Sequence, residues 1–160
     1  MPSSRRTLLT GRRSRPDAVY RPPFASAAFA ELCRDCDQCV EACPEGIVRL
    51  DESGWAMLDL AEGGCTFCGD CARACPTGAL GGTANWSWRA EIGGSCLALK
   101  GVLCELCSDG CDVRAIRMRP VIGGRRLPLL DRELCTGCGA CLGRCPEKAI
   151  RLTRIEEIAA

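Results

Sequence analysis

Cys135-Thr136-Gly137-Cys138-Gly139-Ala140-Cys141-Leu142-Gly143-Arg144-Cys145-Pro146 is the stretch that decides the fold. Its form, C-x2-C-x2-C-x3-C-P, is the bacterial run that holds a cubane [4Fe–4S] cluster: three thiolates wrap one corner of the cube and the fourth is sent elsewhere. The run occurs twice more, as Cys33, Cys36, Cys39, Cys43-Pro44 and as Cys65, Cys68, Cys71, Cys75-Pro76. A fourth quartet, Cys96, Cys104, Cys107 and Cys111, keeps the pattern, with its first gap stretched to seven residues and Asp112 in place of proline. These are all 16 cysteines of the 160-residue chain. Four quartets predict four [4Fe–4S] clusters as cofactors, and four redox centres in so small a chain point to electron transfer.

In two-cluster ferredoxins the fourth cysteine of each run ligates the other run's cluster. Applied here, cluster 1 takes Cys33, Cys36, Cys39 and Cys75, and cluster 2 takes Cys65, Cys68, Cys71 and Cys43. Cluster 3 takes Cys96, Cys104, Cys107 and Cys145, and cluster 4 takes Cys135, Cys138, Cys141 and Cys111. The proline after the last cysteine fixes its own φ and biases that cysteine toward extended backbone, turning the chain away there. Thr66 and Thr136 each follow the first cysteine of a run, where a hydroxyl can reach a sulfur or simply fit the loop.

Other uses of cysteine fit less well. A tenth of the chain is cysteine, a disulfide-scaffold composition, yet such scaffolds are secreted behind a signal peptide, and none is visible. Zinc ribbons use two distant C-x2-C pairs and often recruit histidine; this chain has triple runs and no histidine. The stretched quartet leaves a [3Fe–4S] or altered site open. With no histidine, no glycine-rich nucleotide loop and no spare cysteine, the chain is not expected to be an enzyme.

The quartets pair into two similar units, Cys33–Cys75 and Cys96–Cys145. The fold expected is α+β: two tandem bacterial-type 2[4Fe–4S] ferredoxin-like domains with short hairpins and single-turn helices, preceded by a disordered basic arm. The divisions expected are a basic arm at 1–28, a first domain at 29–81, a connector at 82–94 and a second domain at 95–160. Strand candidates follow the quartets at Ile47–Leu50, Ala115–Met118 and Ala149–Leu152, with partners at Trp55–Asp59 and Leu127–Asp131. Thr153–Ile158 reads as a last helical turn. Each unit sits at the edge of what a hydrophobic core alone supports, and aromatics are only 4 % of residues. The clusters therefore substitute for a core, and the metal-free chain is expected to be largely unfolded.

The formal net charge of +1 counts thiols as neutral. Each oxidised cluster with four thiolates carries about −2, which takes the loaded protein to about −7. The body is thus acidic and nucleic acid is not an expected partner, while the N-terminus carries Arg5, Arg6, Arg12, Arg13, Arg15 and Arg21 against Asp17. No apolar stretch is long enough to span a membrane, and cluster assembly by cellular iron–sulfur machinery points to the cytoplasm. The arm reads Ser4-Arg5-Arg6-Thr7-Leu8-Leu9, the form of a twin-arginine export motif. Export needs an apolar segment next, whereas Gly11-Arg12-Arg13-Ser14-Arg15-Pro16 follows. The arm is instead a solvated basic tail or, more sharply, a docking element in which Arg5, Arg6, Arg12 and Arg13 meet an acidic partner surface or export components.

Taken together, Ser4-Arg5-Arg6, Leu9-Thr10-Gly11-Arg12, Arg21-Pro22-Pro23, the stretched quartet with Ile92-Gly93 and Cys96-Leu97-Ala98, Arg119-Pro120 and Leu134-Cys135 resemble the NapF family over nearly the whole chain. These are ferredoxin-type proteins of periplasmic nitrate reductase systems. The resemblance implies a cytoplasmic protein with four [4Fe–4S] clusters that meets the catalytic subunit of that reductase before export. It also implies assistance in maturing this precursor by electron supply or cluster assembly. The alternative is a generic electron-transfer subunit of a redox complex.

Overall fold

In the computed structural model, which describes residues 19–155, the chain is laid out as two units that repeat one plan. Its helices are single turns: α1 (Phe29–Leu32), α2 (Gln38–Glu41), α3 (Asp70–Arg73), α4 (Leu106–Asp109) and α5 (Ala140–Arg144). Its strands have three to five residues: β1 (Val48–Leu50), β2 (Ala56–Leu58), β3 (Trp88–Ile92), β4 (Ile116–Pro120), β5 (Arg126–Leu130) and β6 (Ile150–Arg154). They form three antiparallel pairs, β1–β2, β4–β5 and β3–β6. Isolated two-stranded hairpins are marginal in water, so each pair depends on what packs beneath it.

One turn recurs after every quartet. Three residues beyond the last cysteine the backbone is left-handed, at Gly46 (φ 61°), Gly78 (73°), Arg114 (53°) and Lys148 (48°). Glycine adopts this conformation freely; arginine and lysine do so at a cost. The turn reverses the chain and drives the next two residues inward: Ile47 and Val48, Ala79 and Leu80, Ala115 and Ile116, Ala149 and Ile150, all buried. The largest fully buried side chains are Ile47, Leu80, Val48 and Pro22. So small a core agrees with the low aromatic content.

The strand pairs expected from the sequence are present at β1–β2 and β4–β5, with ends shifted by a residue or two. Three segments differ from expectation. Residues 88–92, read as connector, form β3, which pairs with β6 from Trp88↔Arg154 to Ile92↔Ile150. The W-R-A-E-I alternation sends Ala90 into the core at 1 % exposure. Thr153 and Arg154 extend β6 instead of turning helical, because β3 offers them a partner. Residues 19–28, read as the end of a disordered arm, are packed on the first unit. Tyr20 and Pro22 are buried, Tyr20 C=O accepts from Leu58 N–H at 2.7 Å, and Ser26 N–H donates to Ala79 C=O at 2.9 Å. Arg21 binds Asp51 at 2.7 Å, donates to Ala56 C=O at 3.1 Å and lies over the Phe29 and Trp55 rings. Arg5, Arg6, Arg12 and Arg13 lie outside the described residues.

With so little apolar burial, the fold is expected to depend on bound metal. Stripping iron with a chelator under oxidising conditions is expected to abolish most of the circular dichroism signal of the folded protein; a chain that kept it would show a core that stands alone.

Candidate cluster sites

Three partly open hollows lie between the cysteine loops and the strands. The first is lined by Cys43, Cys65, Cys68 and Cys71 against Ile47, Val48 and Leu58. The second is lined by Cys111, Cys135, Cys138 and Cys141 against Ala115, Ile116 and Leu152. The third is lined by Cys96, Cys104, Cys107 and Cys145 against Ile92 and Ile150. Each hollow thus takes three cysteines from one run and one from its partner run. In the remaining quartet, the Cys39 thiol feels the charges of Cys36, Cys33 and Cys75 together.

The seven-residue gap of the stretched quartet is folded away locally. Lys100 N–H donates to Cys96 C=O at 3.1 Å and Val102 N–H to Leu97 C=O at 2.9 Å, coiling the insertion so that Cys96 and Cys104 face one hollow. The coil carries Leu99, Val102 and Leu103 to the surface, Leu103 at 78 % exposure.

None of the sixteen cysteines forms a disulfide. Backbone N–H groups point at several sulfurs: Ala56 at Cys33 (3.4 Å), Leu80 at Cys75 (3.5 Å), Ala90 at Cys135 (3.4 Å) and Ala149 at Cys145 (3.2 Å). Such bonds favour thiolate and tune a cluster. The hydroxyl within reach of a sulfur belongs to Thr77, whose Oγ1 lies 3.6 Å from Cys75 Sγ, a contact the sequence reading missed in favour of Thr66 and Thr136. Its signal was available, since Thr77 stands just beyond the Cys75-Pro76 pair that ends its run. Burial works to raise the Cys75 thiol, but donors from Leu80, Thr77 and Ala79 outweigh it and the pKa falls.

The third cysteine of every quartet is the opposite case. Burial, joined by neighbouring thiol charges, pushes Cys39, Cys71 and Cys107 up to about 11 and Cys141 up to about 12. Lone thiolates are penalised in these positions, and a cationic iron core removes the penalty. All-sulfur donors, apolar walls and sulfur-directed N–H groups fit an iron–sulfur cubane.

Comparison with known proteins agrees. The 4Fe-4S dicluster domain matches residues 32–79 and again 101–149. The ferredoxin-type protein NapF of Escherichia coli (strain K12) is 38 % identical, covering 92 % of this chain and 93 % of that protein. The chain belongs to the NapF family of ferredoxin-type iron–sulfur proteins. NapF of Haemophilus influenzae is 34 % identical over 86 % of this chain and 80 % of its own. The methylamine utilization ferredoxin-type protein MauM of Methylobacillus flagellatus is 35 % identical over 91 % of this chain and 72 % of its own. Two dicluster domains with sixteen cysteines make four [4Fe–4S] clusters the cofactor complement.

Iron takes thiolates, so cluster binding must expel the protons of the ligand thiols. Loading at pH 7 is expected to release protons from the cysteines, which are thiols in the metal-free chain and thiolates in the clusters, and to slow as pH falls. A pH-stat trace during anaerobic reconstitution reads this directly, and a trace without release would refute it.

Proposed function

We propose that this four-cluster electron-transfer protein works in the cytoplasm on the precursor of a periplasmic nitrate reductase catalytic subunit. There it assists maturation by supplying electrons or aiding cluster assembly before export. The observation that carries the reading is the likeness to NapF proteins across both dicluster domains and beyond them. The basic segment with Arg5, Arg6, Arg12 and Arg13 is the docking element for the precursor in this reading. The likeness to MauM, named for methylamine utilization, favours a second reading, a general ferredoxin adapted to different redox partners.

The ligand sets belong to the same proposal: Cys33, Cys36, Cys39 and Cys75 for cluster 1; Cys65, Cys68, Cys71 and Cys43 for cluster 2; Cys96, Cys104, Cys107 and Cys145 for cluster 3; Cys135, Cys138, Cys141 and Cys111 for cluster 4. Their support is the sharing of hollows between runs. The two units, taken as domains joined by a connector, follow the same division. In Cys39→Ser, cluster 1 should be lost and cluster 2 keep its ligands, so iron drops from about sixteen to about twelve atoms per chain. A fall to about eight would mean that the two sites assemble only together or that the sets are wrong.

Because Tyr20 and Arg21 are built into the first unit, the docking test is best made by substitution, not by truncation through residue 21. Replacing Arg5, Arg6, Arg12 and Arg13 with alanine should weaken capture of the reductase precursor in anaerobic pull-downs while leaving about sixteen irons. Undiminished capture would remove the docking role, and recovery of another redox enzyme in place of the precursor would favour the second reading.

A further inference from the structure

The cysteine loops of the two units touch. Cys65 N–H donates to Cys138 C=O at 2.8 Å, joining a residue of the Cys43/65/68/71 hollow to one of the Cys111/135/138/141 hollow. A Cβ added to Gly64 would lie 2.8 Å from Ala140 Cβ and from Ala140 N, so backbone meets backbone with no side chain between. Beside the bond, Trp86 Nε1–H donates to Gly137 C=O at 2.9 Å, and the Phe67 and Trp86 rings meet edge-on at 6.2 Å. Phe67 and Gly137 stand in the two facing loops, so the tryptophan ties one loop to the other.

Within each unit the two quartets are also adjacent. α2, which carries Cys39, packs against α3, which carries Cys71, and α4, which carries Cys107, packs against α5, which carries Cys141. The adjacencies therefore run from the Cys33 run to the Cys65 run, across to the Cys135 run, and on to the stretched quartet. This is not the order of the sequence.

We propose that the four clusters form one electron path in the order 1–2–4–3, with the Cys65–Cys138 hydrogen bond as the crossing between the two units. The inference rests on the ligand sets given above. With clusters bound by these sets, Cys65 and Cys138 would stand between two [4Fe–4S] centres, and the bond would carry one electron from a reduced (1+) centre to an oxidised (2+) one. No bond is made or broken and no proton moves. Tunnelling falls steeply with distance, and the hydrogen bond between ligand residues gives a direct covalent-plus-hydrogen-bonded route between the units. The outer quartets then serve as the two ends, and the end at the stretched quartet lies beside the exposed Leu99, Val102 and Leu103.

The test is electron paramagnetic resonance of the full chain reduced with dithionite, with iron assayed on the same sample. Wild-type protein should show magnetic coupling that joins the two units. Cys75→Ser, which removes a cluster 1 ligand, should keep that coupling; Cys43→Ser, which removes a cluster 2 ligand, should lose it. Gly64→Val should lose it with iron unchanged, because the wedge parts Cys65 from Cys138. If that variant fails to hold iron, Trp86→Phe, which deletes the bond to Gly137 and leaves a smaller ring against Phe67, should weaken the coupling and decides in its place. Coupling unchanged in Cys43→Ser or in an iron-replete Gly64→Val overturns the path. If each cysteine variant instead loses a cluster other than the assigned one, the ligand sets fail, and the path built on them falls with them. Spectra of Gly64→Val and Trp86→Phe that both match wild type at full iron would overturn the crossing while leaving the sets standing.

Discussion

Everything in this molecule answers to the desolvation of sulfur. Each quartet places one thiol where burial and its neighbours hold it protonated, up to about 12 at Cys141. That arrangement is poor for an empty site and good for one filled by a cationic core, which offsets half of the thiolate charge and occupies the hollow. Here the inorganic groups stand where another small protein would place aromatic side chains. With the volume so assigned, secondary structure needs only to hold loops in place, and one-turn helices with three-to-five-residue strands suffice.

The recurring left-handed turn converts this requirement into a repeat. After each last cysteine the chain bends and buries a pair of apolar residues beneath the neighbouring quartet. Glycine supplies the bend in the first unit and Arg114 and Lys148 in the second. The same geometry is thus kept with residues that tolerate it less readily.

The cysteine spacing made the α+β two-unit plan legible, and the apolar pairs after the quartets made most strands legible too. What escaped reading was non-local. The Trp88–Ile92 segment alternates as a strand does, but its partner lies some sixty residues on, at Ile150–Arg154, and no spacing rule connects them. The Arg21-Pro22-Pro23 stretch has the composition of a loose arm, yet its arginine meets a carboxylate, a carbonyl and two rings at once. Composition reports the cost of ordering such a stretch; only the fold reveals the contacts that offset it. Thr77 escaped for a similar reason, since its reach to Cys75 follows from the turn that comes after the proline.

The closure of β3 on β6 also sets a timetable for biosynthesis. The first unit is closed by backbone bonds that run to Asn85, whose N–H donates to Pro23 C=O at 3.0 Å. Its ligands and its lid are therefore all translated while the ribosome is still extending the chain, and domains commonly fold in that order. The second unit needs Cys145 and then Ile150–Arg154, which are translated some sixty residues later. One half of the protein thus has all its ligands before the other is synthesised, so the two pairs of centres belong to different moments in the life of the polypeptide.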